Sequence, residues 1–168
     1  MLFRHLVFAS VCIGSAASLS ARSVTAQEIG IAVGKRAPSA IVKTLDGKSV
    51  DLGSYVGRTP MLIEFWATWC PQCHELEPAL LAAQKKYAGK VKFIGVAVSI
   101  RQSPARLKAY VAKHKLTHEI LFDADANASD AYEVPATSYV VVVNRKGEVV
   151  YTGLGGSQNL EAAIRKAL

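Results

Sequence analysis

Cys70 and Cys73 are separated only by Pro71 and Gln72, a spacing at which two thiols can trade electrons with a disulfide. The surrounding stretch is Phe65-Trp66-Ala67-Thr68-Trp69-Cys70-Pro71-Gln72-Cys73-His74. Residues 61–66 form a short apolar run of the kind a buried strand shows, and the residues after Cys73 have helical spacing. The pair therefore falls at a strand-to-helix junction. Proline is favoured at the first helical position, where its missing N–H is not needed, so Pro71 marks that position and Cys70 the N-cap. Free amides and the positive end of the helix dipole favour a thiolate at Cys70 and make it the nucleophile. Cys73, one turn in, is expected to be the more buried, resolving thiol.

The same residues admit other chemistry. Cys70-Pro71-Gln72-Cys73-His74 satisfies the Cys-x-x-Cys-His haem attachment pattern, with both thiols as thioethers and His74 as an axial ligand. A metal site would be one ligand short with two cysteines and His74, and His114 and His118 are expected to be exposed near a helix end. Glu64 is an acid on an otherwise apolar strand. Burying it ionised is costly, so its pKa should rise and suit it to carry the Cys73 proton; the plainer alternative is that it reaches solvent or meets a lysine.

The chain has 168 residues, enough for one domain with a full core and no disulfide staples. Its first 26 residues read as a signal peptide: Arg4 and His5, an apolar run from Leu6 to Ile13, then small residues up to Val24-Thr25-Ala26. Cleavage is expected after Ala26, with an uncleaved membrane anchor as the alternative, although the apolar part is short for a span of about 20 residues. Cys12 follows the bulky Val11 and is assigned to the leader rather than to a lipid attachment site. Residues 27–168 then hold Cys70 and Cys73 as their only thiols, leaving no disulfide framework in an exported protein. The formal net charge of +7 is scattered, without basic runs, which argues against a nucleic-acid surface.

Around the junction, residues 27–37 read as an unstructured lead-in. Residues 39–44 and 48–52 flank Asp46-Gly47 as a hairpin. A helix with Leu76, Leu80, Ala83 and Tyr87 on one face follows Cys73, with Pro78 inside it. Residues 91–99 form a buried strand, Ser103-Pro104 opens a second helix, and residues 119–122 form a short strand. Residues 139–143 read as a strand covered on both faces, residues 148–152 as its hairpin partner, and Leu160, Ala163, Ile164 and Leu168 as a final helix. The order predicts an α/β domain with a mixed central sheet flanked by helices on both faces.

The sequence resembles the thioredoxin fold, and within it the exported TlpA/ResA-like thiol-disulfide oxidoreductases. The resemblance rests on Ala37-Pro38, Leu45-Asp46-Gly47, Glu64 through Cys73, Pro78, Val134-Pro135-Ala136-Thr137 and Asn144-Arg145-Lys146-Gly147, in matching order. It implies an N-terminal hairpin, a central insert over residues 100–125, and a cis-proline at Pro135 beside the cysteines. It further implies that Val134 pairs its backbone with a substrate chain and that Trp69, Pro71 and Gln72 line the substrate face. The implied activity is reduction of disulfides in exported proteins in the periplasm or cell envelope, as in cytochrome c maturation. A membrane thiol transporter would reset the enzyme, and no resident cofactor is needed. Pro71 in the first intervening position departs from thioredoxin and keeps a disulfide-donating oxidant as an alternative. A peroxiredoxin-type peroxidase shares the opening motifs, but Trp66-Ala67-Thr68-Trp69 lacks the proline such an enzyme places before its reactive cysteine.

Overall fold

A computed structural model describes residues 30–168; residues 1–26, read above as a signal peptide, lie outside them. A hairpin of β1 (Ile41–Thr44) and β2 (Ser49–Asp51) comes first, followed by a 3₁₀ turn (Leu52–Tyr55) and the central strand β3 (Met61–Trp66). Then come α1 (Pro71–Lys86), β4 (Lys92–Val98), α2 (Pro104–His114), β5 (Glu119–Asp123), α3 (Asn127–Ala131), β6 (Tyr139–Val143), β7 (Val149–Leu154) and α4 (Leu160–Arg165). The strands form one mixed sheet in the order β2-β1-β5-β4-β3-β6-β7, with β3, β4 and β5 mutually parallel. The thioredoxin-like α/β architecture expected from the sequence is the one observed, and β5 of the central segment joins the hairpin to the rest.

Alternation along β3 explains how the sheet divides its faces. Met61, Ile63 and Phe65 enter one cluster with Ile94, Val96, Leu121 and Val141, covered by Ala128 and Tyr132 from α3 and its end. Leu62 points the other way, into a cluster with Leu76, Leu80, Val140, Leu160 and Ile164 from α1, β6 and α4. Trp66 shares that side with Cys70, Cys73 and Leu107. By the same alternation Glu64, between Leu62 and Trp66, faces the layer that contains α1. All five residues of β6 are buried, as a strand covered on both faces requires.

Residues 30–37, the described part of the lead-in, do not behave as expected. Ile31 is 3% exposed in the core, its N–H donates to the Tyr132 carbonyl, and Arg36 bridges to Glu148. Gly30, at φ 83°, passes against the Tyr139 ring where a Cβ would overlap it. These residues lack periodicity because they close the edge of the core as single contacts. At the other end Leu168 is exposed and Ala167 takes the buried place, because α4 ends at Arg165 and the last turn tightens. Leu62→Ala, which empties a fully buried place between the sheet and α1, should cost about 2–5 kcal/mol of unfolding free energy, read as a lower urea midpoint.

Candidate active site

The cap assignment made from Pro71 holds in the structure. Cys70 has extended backbone angles and is the N-cap of α1, Pro71 occupies the first turn, and the Cys70 Sγ accepts the Cys73 N–H at 3.1 Å. The two cysteines are joined as a disulfide with their Cα atoms 5.3 Å apart. Cys70 is 3% exposed and Cys73 5%, so Cys73 is not the more buried of the two. The bond folds the Cys70 sulfur onto the first turn of the helix and covers it. On reduction the same cap and helix dipole act on a Cys70 thiolate, worth about 0.3–1 kcal/mol for the dipole alone.

Trp66 and Trp69 take opposite places. Trp66 is buried, packed on Tyr110 at 5.3 Å between ring centroids. Trp69 is 41% exposed at the rim, its indole N–H donating to the Ile100 carbonyl at 2.8 Å. Pro71 and Gln72 are exposed beside them, and Gln72 lies next to Gly155 of the β7–α4 loop. Because Phe65 pairs with Tyr139, the residues entering β6 and those leaving β3 lie at the same end of the sheet. Val134 and Pro135 therefore belong to the end of the molecule that carries Cys70. Among the described residues no peptide bond is cis, so the Val134–Pro135 bond is trans, contrary to the expectation. Left-handed turns at Glu133 (φ 51°) and Ser138 (φ 62°) carry the chain from α3 into β6 without it. The Val134 N–H donates to the Ser129 carbonyl at 2.9 Å.

Behind the disulfide is a small cavity of about 10 Å³, the size of one water, lined by Glu64, Trp66, Cys73, Glu77, Tyr110 and His118 among others. Glu64 is 6% exposed and pairs in register with Gly95 of β4. No salt bridge reaches its carboxyl among the described residues, and burial, aided by the nearby Glu77 charge, pushes its pKa up to about 8. The alternative of a lysine partner is not what the structure shows. A side chain at Gly95 would strike Ile120, the Trp66 Nε1 and His118; its absence makes room for the two rings. His118 is held down to about 4 by burial, and its Nδ1, like the Trp66 Nε1, is buried without a hydrogen-bond partner.

The sequence expectation that His114 and His118 are exposed is therefore wrong. His114 stacks on Tyr110 at 3.8 Å between centroids, and its Nδ1 contacts the Glu77 carboxylate at 3.0 Å. Glu77 was not singled out from the sequence; its spacing of four from Cys73, one helical turn, is the signal that could have found it. His74 is exposed, with its Nε2 3.1 Å from the Thr68 carbonyl oxygen. Among the described residues no group of three or more histidine, cysteine or acidic side chains could hold a metal ion. Haem attachment fits poorly as well, since both cysteines are buried and His74 is tied to backbone.

Comparison with known proteins agrees with this geometry. The family model described as Redoxin matches residues 32–168. The chain is 32% identical over 141 residues to the thioredoxin-like protein YneN of Bacillus subtilis, covering 82% of each. It is 28% identical to the thiol-disulfide oxidoreductase ResA of Halalkalibacterium halodurans, over 73% of this chain and 69% of that one. Among solved structures, a putative thiol:disulfide interchange protein DsbE from Chlorobium tepidum superposes with a TM-score of 0.71 at 22% identity, over 82% of this chain and 98% of that one, a likeness in fold.

Proposed function

The chain belongs to the Redoxin family and is a thiol-disulfide oxidoreductase of thioredoxin fold, and on that premise we propose that it reduces disulfides of exported proteins through Cys70 and Cys73. The observation that carries the reading is the Cys70 sulfur at the N-cap of α1 with Glu64 and Cys73 sharing one cavity behind it. The Cys70 thiolate attacks one sulfur of the substrate disulfide. The substrate bond breaks, and its second sulfur leaves with the electron pair and takes a proton from solvent. The Cys73 thiol then gives its proton to the Glu64 carboxylate and attacks the Cys70 sulfur. The Cys70–substrate bond breaks, and the departing substrate sulfur leaves with the electron pair and takes a second proton from solvent, to which Glu64 later returns the proton of Cys73. Substrate has gained two electrons and two protons, and the enzyme is left as its disulfide.

Trp69, Pro71, Gln72, Val134 and Pro135 form the face on which a substrate chain docks in this reading, with Val134 offering its carbonyl because its N–H is occupied. The disulfide between the paired cysteines of an oxidised apocytochrome c is one substrate class that such a reductant serves. A membrane thiol transporter resupplies electrons. The leader over residues 1–26 takes the protein to the periplasm or cell envelope, cleaved or as an anchor. No helix among the described residues is long and apolar enough to cross a membrane. The reading is tested by the reduction potential of the Cys70–Cys73 pair, equilibrated with a redox buffer at pH 7. A value near about −270 mV, that of a thioredoxin, is expected; a value near about −120 mV would make the protein a disulfide donor and reverse the flow.

A further inference from the structure

The buried acid of the exchange reaction is not alone. Glu77 lines the same cavity as Glu64 and Cys73, on the next turn of α1. Its two carboxylate oxygens are each held by α2: the Tyr110 hydroxyl donates to one at 2.9 Å, and the His114 Nδ1 contacts the other at 3.0 Å. The Glu77 side chain is 22% exposed, whereas Glu64 is sealed. One carboxylate therefore faces the reacting thiol, and a second faces both the first and the solvent. The charged and titratable groups around this pair are Cys73 and His74 on α1, Tyr110 and His114 on α2, and His118 ahead of β5. His118 resists protonation in its half-buried place, and among the described residues no lysine or arginine lines the cavity that holds the pair.

We propose that Glu77 is a positioning residue for disulfide exchange: across the cavity it shares one proton with Glu64, and it is the route by which that proton reaches solvent. The inference rests on the reading that Glu64 serves Cys73. When Cys73 is deprotonated, the proton crosses from the thiol to the Glu64 carboxylate, then over the width of one water to the Glu77 carboxylate, and leaves from its exposed edge. On re-reduction the same path runs backwards, protonating the Cys73 thiolate as it is expelled from the disulfide. Tyr110 and His114 fix the Glu77 carboxylate toward the cavity, so that the two carboxylates are not easily ionised together; a proton resting on Glu64 moves out through Glu77, and the emptied Glu64 carboxylate then takes the proton of Cys73.

The test is the pH dependence of the equilibrium between the oxidised and reduced protein in dithiothreitol buffers, run on the full chain. The wild-type curve should bend where Glu64 ionises, near pH 8. Glu77→Gln, which keeps the volume and removes the charge, should move that bend down by about one unit. Glu77→Met is a second neutral variant and should do the same; Glu77→Asp keeps the charge and should leave the bend near its wild-type place. A bend unmoved in both neutral variants, or moved alike by all three substitutions, overturns the proposal, the second because a packing change would then be the cause. Failure of the underlying reading looks different: the wild-type protein would show no bend near pH 8, and Glu64→Gln would leave its curve unaltered.

Discussion

Serine at position 70 should abolish disulfide reduction, a loss of about 10⁴-fold or more, whereas serine at position 73 should permit the first attack and stop there. The asymmetry follows from the cap. Only Cys70 has its sulfur at the helix N-terminus, where it receives the Cys73 amide, and a hydroxyl at that place is neither ionised near neutral pH nor a comparable nucleophile. With Cys73→Ser the mixed disulfide has no internal thiol to resolve it, and the substrate stays attached through Cys70. Incubating each reduced variant with a peptide disulfide and weighing the product by mass spectrometry reads both outcomes at once. Cys73→Ser should carry one peptide, and Cys70→Ser none. An adduct on the Cys70→Ser protein, with none on Cys73→Ser, would exchange the two roles.

The parts of this site that were legible in the sequence are those set by strong local rules. Pro71 after Cys70 locates the first helical turn because proline is tolerated there and almost nowhere else in a helix, and the cap was found where Pro71 put it. Glu64 stood out as an acid on an otherwise apolar strand, whereas its place on the face toward the helix carrying Cys73 comes from the packing of Leu62 and Trp66 on that side in the structure. What stayed hidden depends on contacts between distant segments. The burial of Ile31 and Ala37 comes from single packing and bridge contacts with residues near Tyr132 and Glu148, without any period to read. His114 and His118 look like polar residues at a helix end; only the α2–α1 packing turns His114 onto Glu77, and only the bare Gly95 admits the His118 ring. The Pro135 bond depends on how the chain enters β6, and the left-handed turns at Glu133 and Ser138 were not visible beforehand.

Glu64→Gln should stabilise the oxidised protein at alkaline pH while slowing resolution by Cys73. The folded protein holds the Glu64 carboxyl at about 8 against an ordinary value of 4.5, so between those limits the native state binds a proton that the unfolded chain releases. Stability contributed by that proton is complete below about pH 4.5, falls as pH rises through the window, and is gone above about 8. At about 1.4 kcal/mol per unit, the full span is worth roughly 3–5 kcal/mol. His118 opposes it in the lower half. Its imidazole is held down to about 4 from an ordinary 6.5, so the native state refuses a proton that the unfolded chain binds, and stability is lost as pH falls through that interval. From about pH 4.5 to 6.5 the two slopes cancel. The decline of the wild-type protein should therefore be concentrated between about pH 6.5 and 8, where it amounts to about 2 kcal/mol. Glutamine removes the Glu64 slope and leaves that of His118, so the variant should gain stability from about pH 4 to 6.5 and then hold level, diverging upward from the wild type. Urea unfolding of both disulfide-bonded proteins at pH 5, 6, 7 and 8 measures the divergence without interference from titrating thiols, and parallel curves would show that Glu64 does not carry the buried proton. The same substitution removes the base for Cys73, for which a loss of about 10²–10⁴-fold in the resolving rate is expected. A more stable and slower enzyme is the joint signature of an acid kept buried for its proton, because a merely structural carboxyl would not be costly to the fold and useful to the reaction at one position.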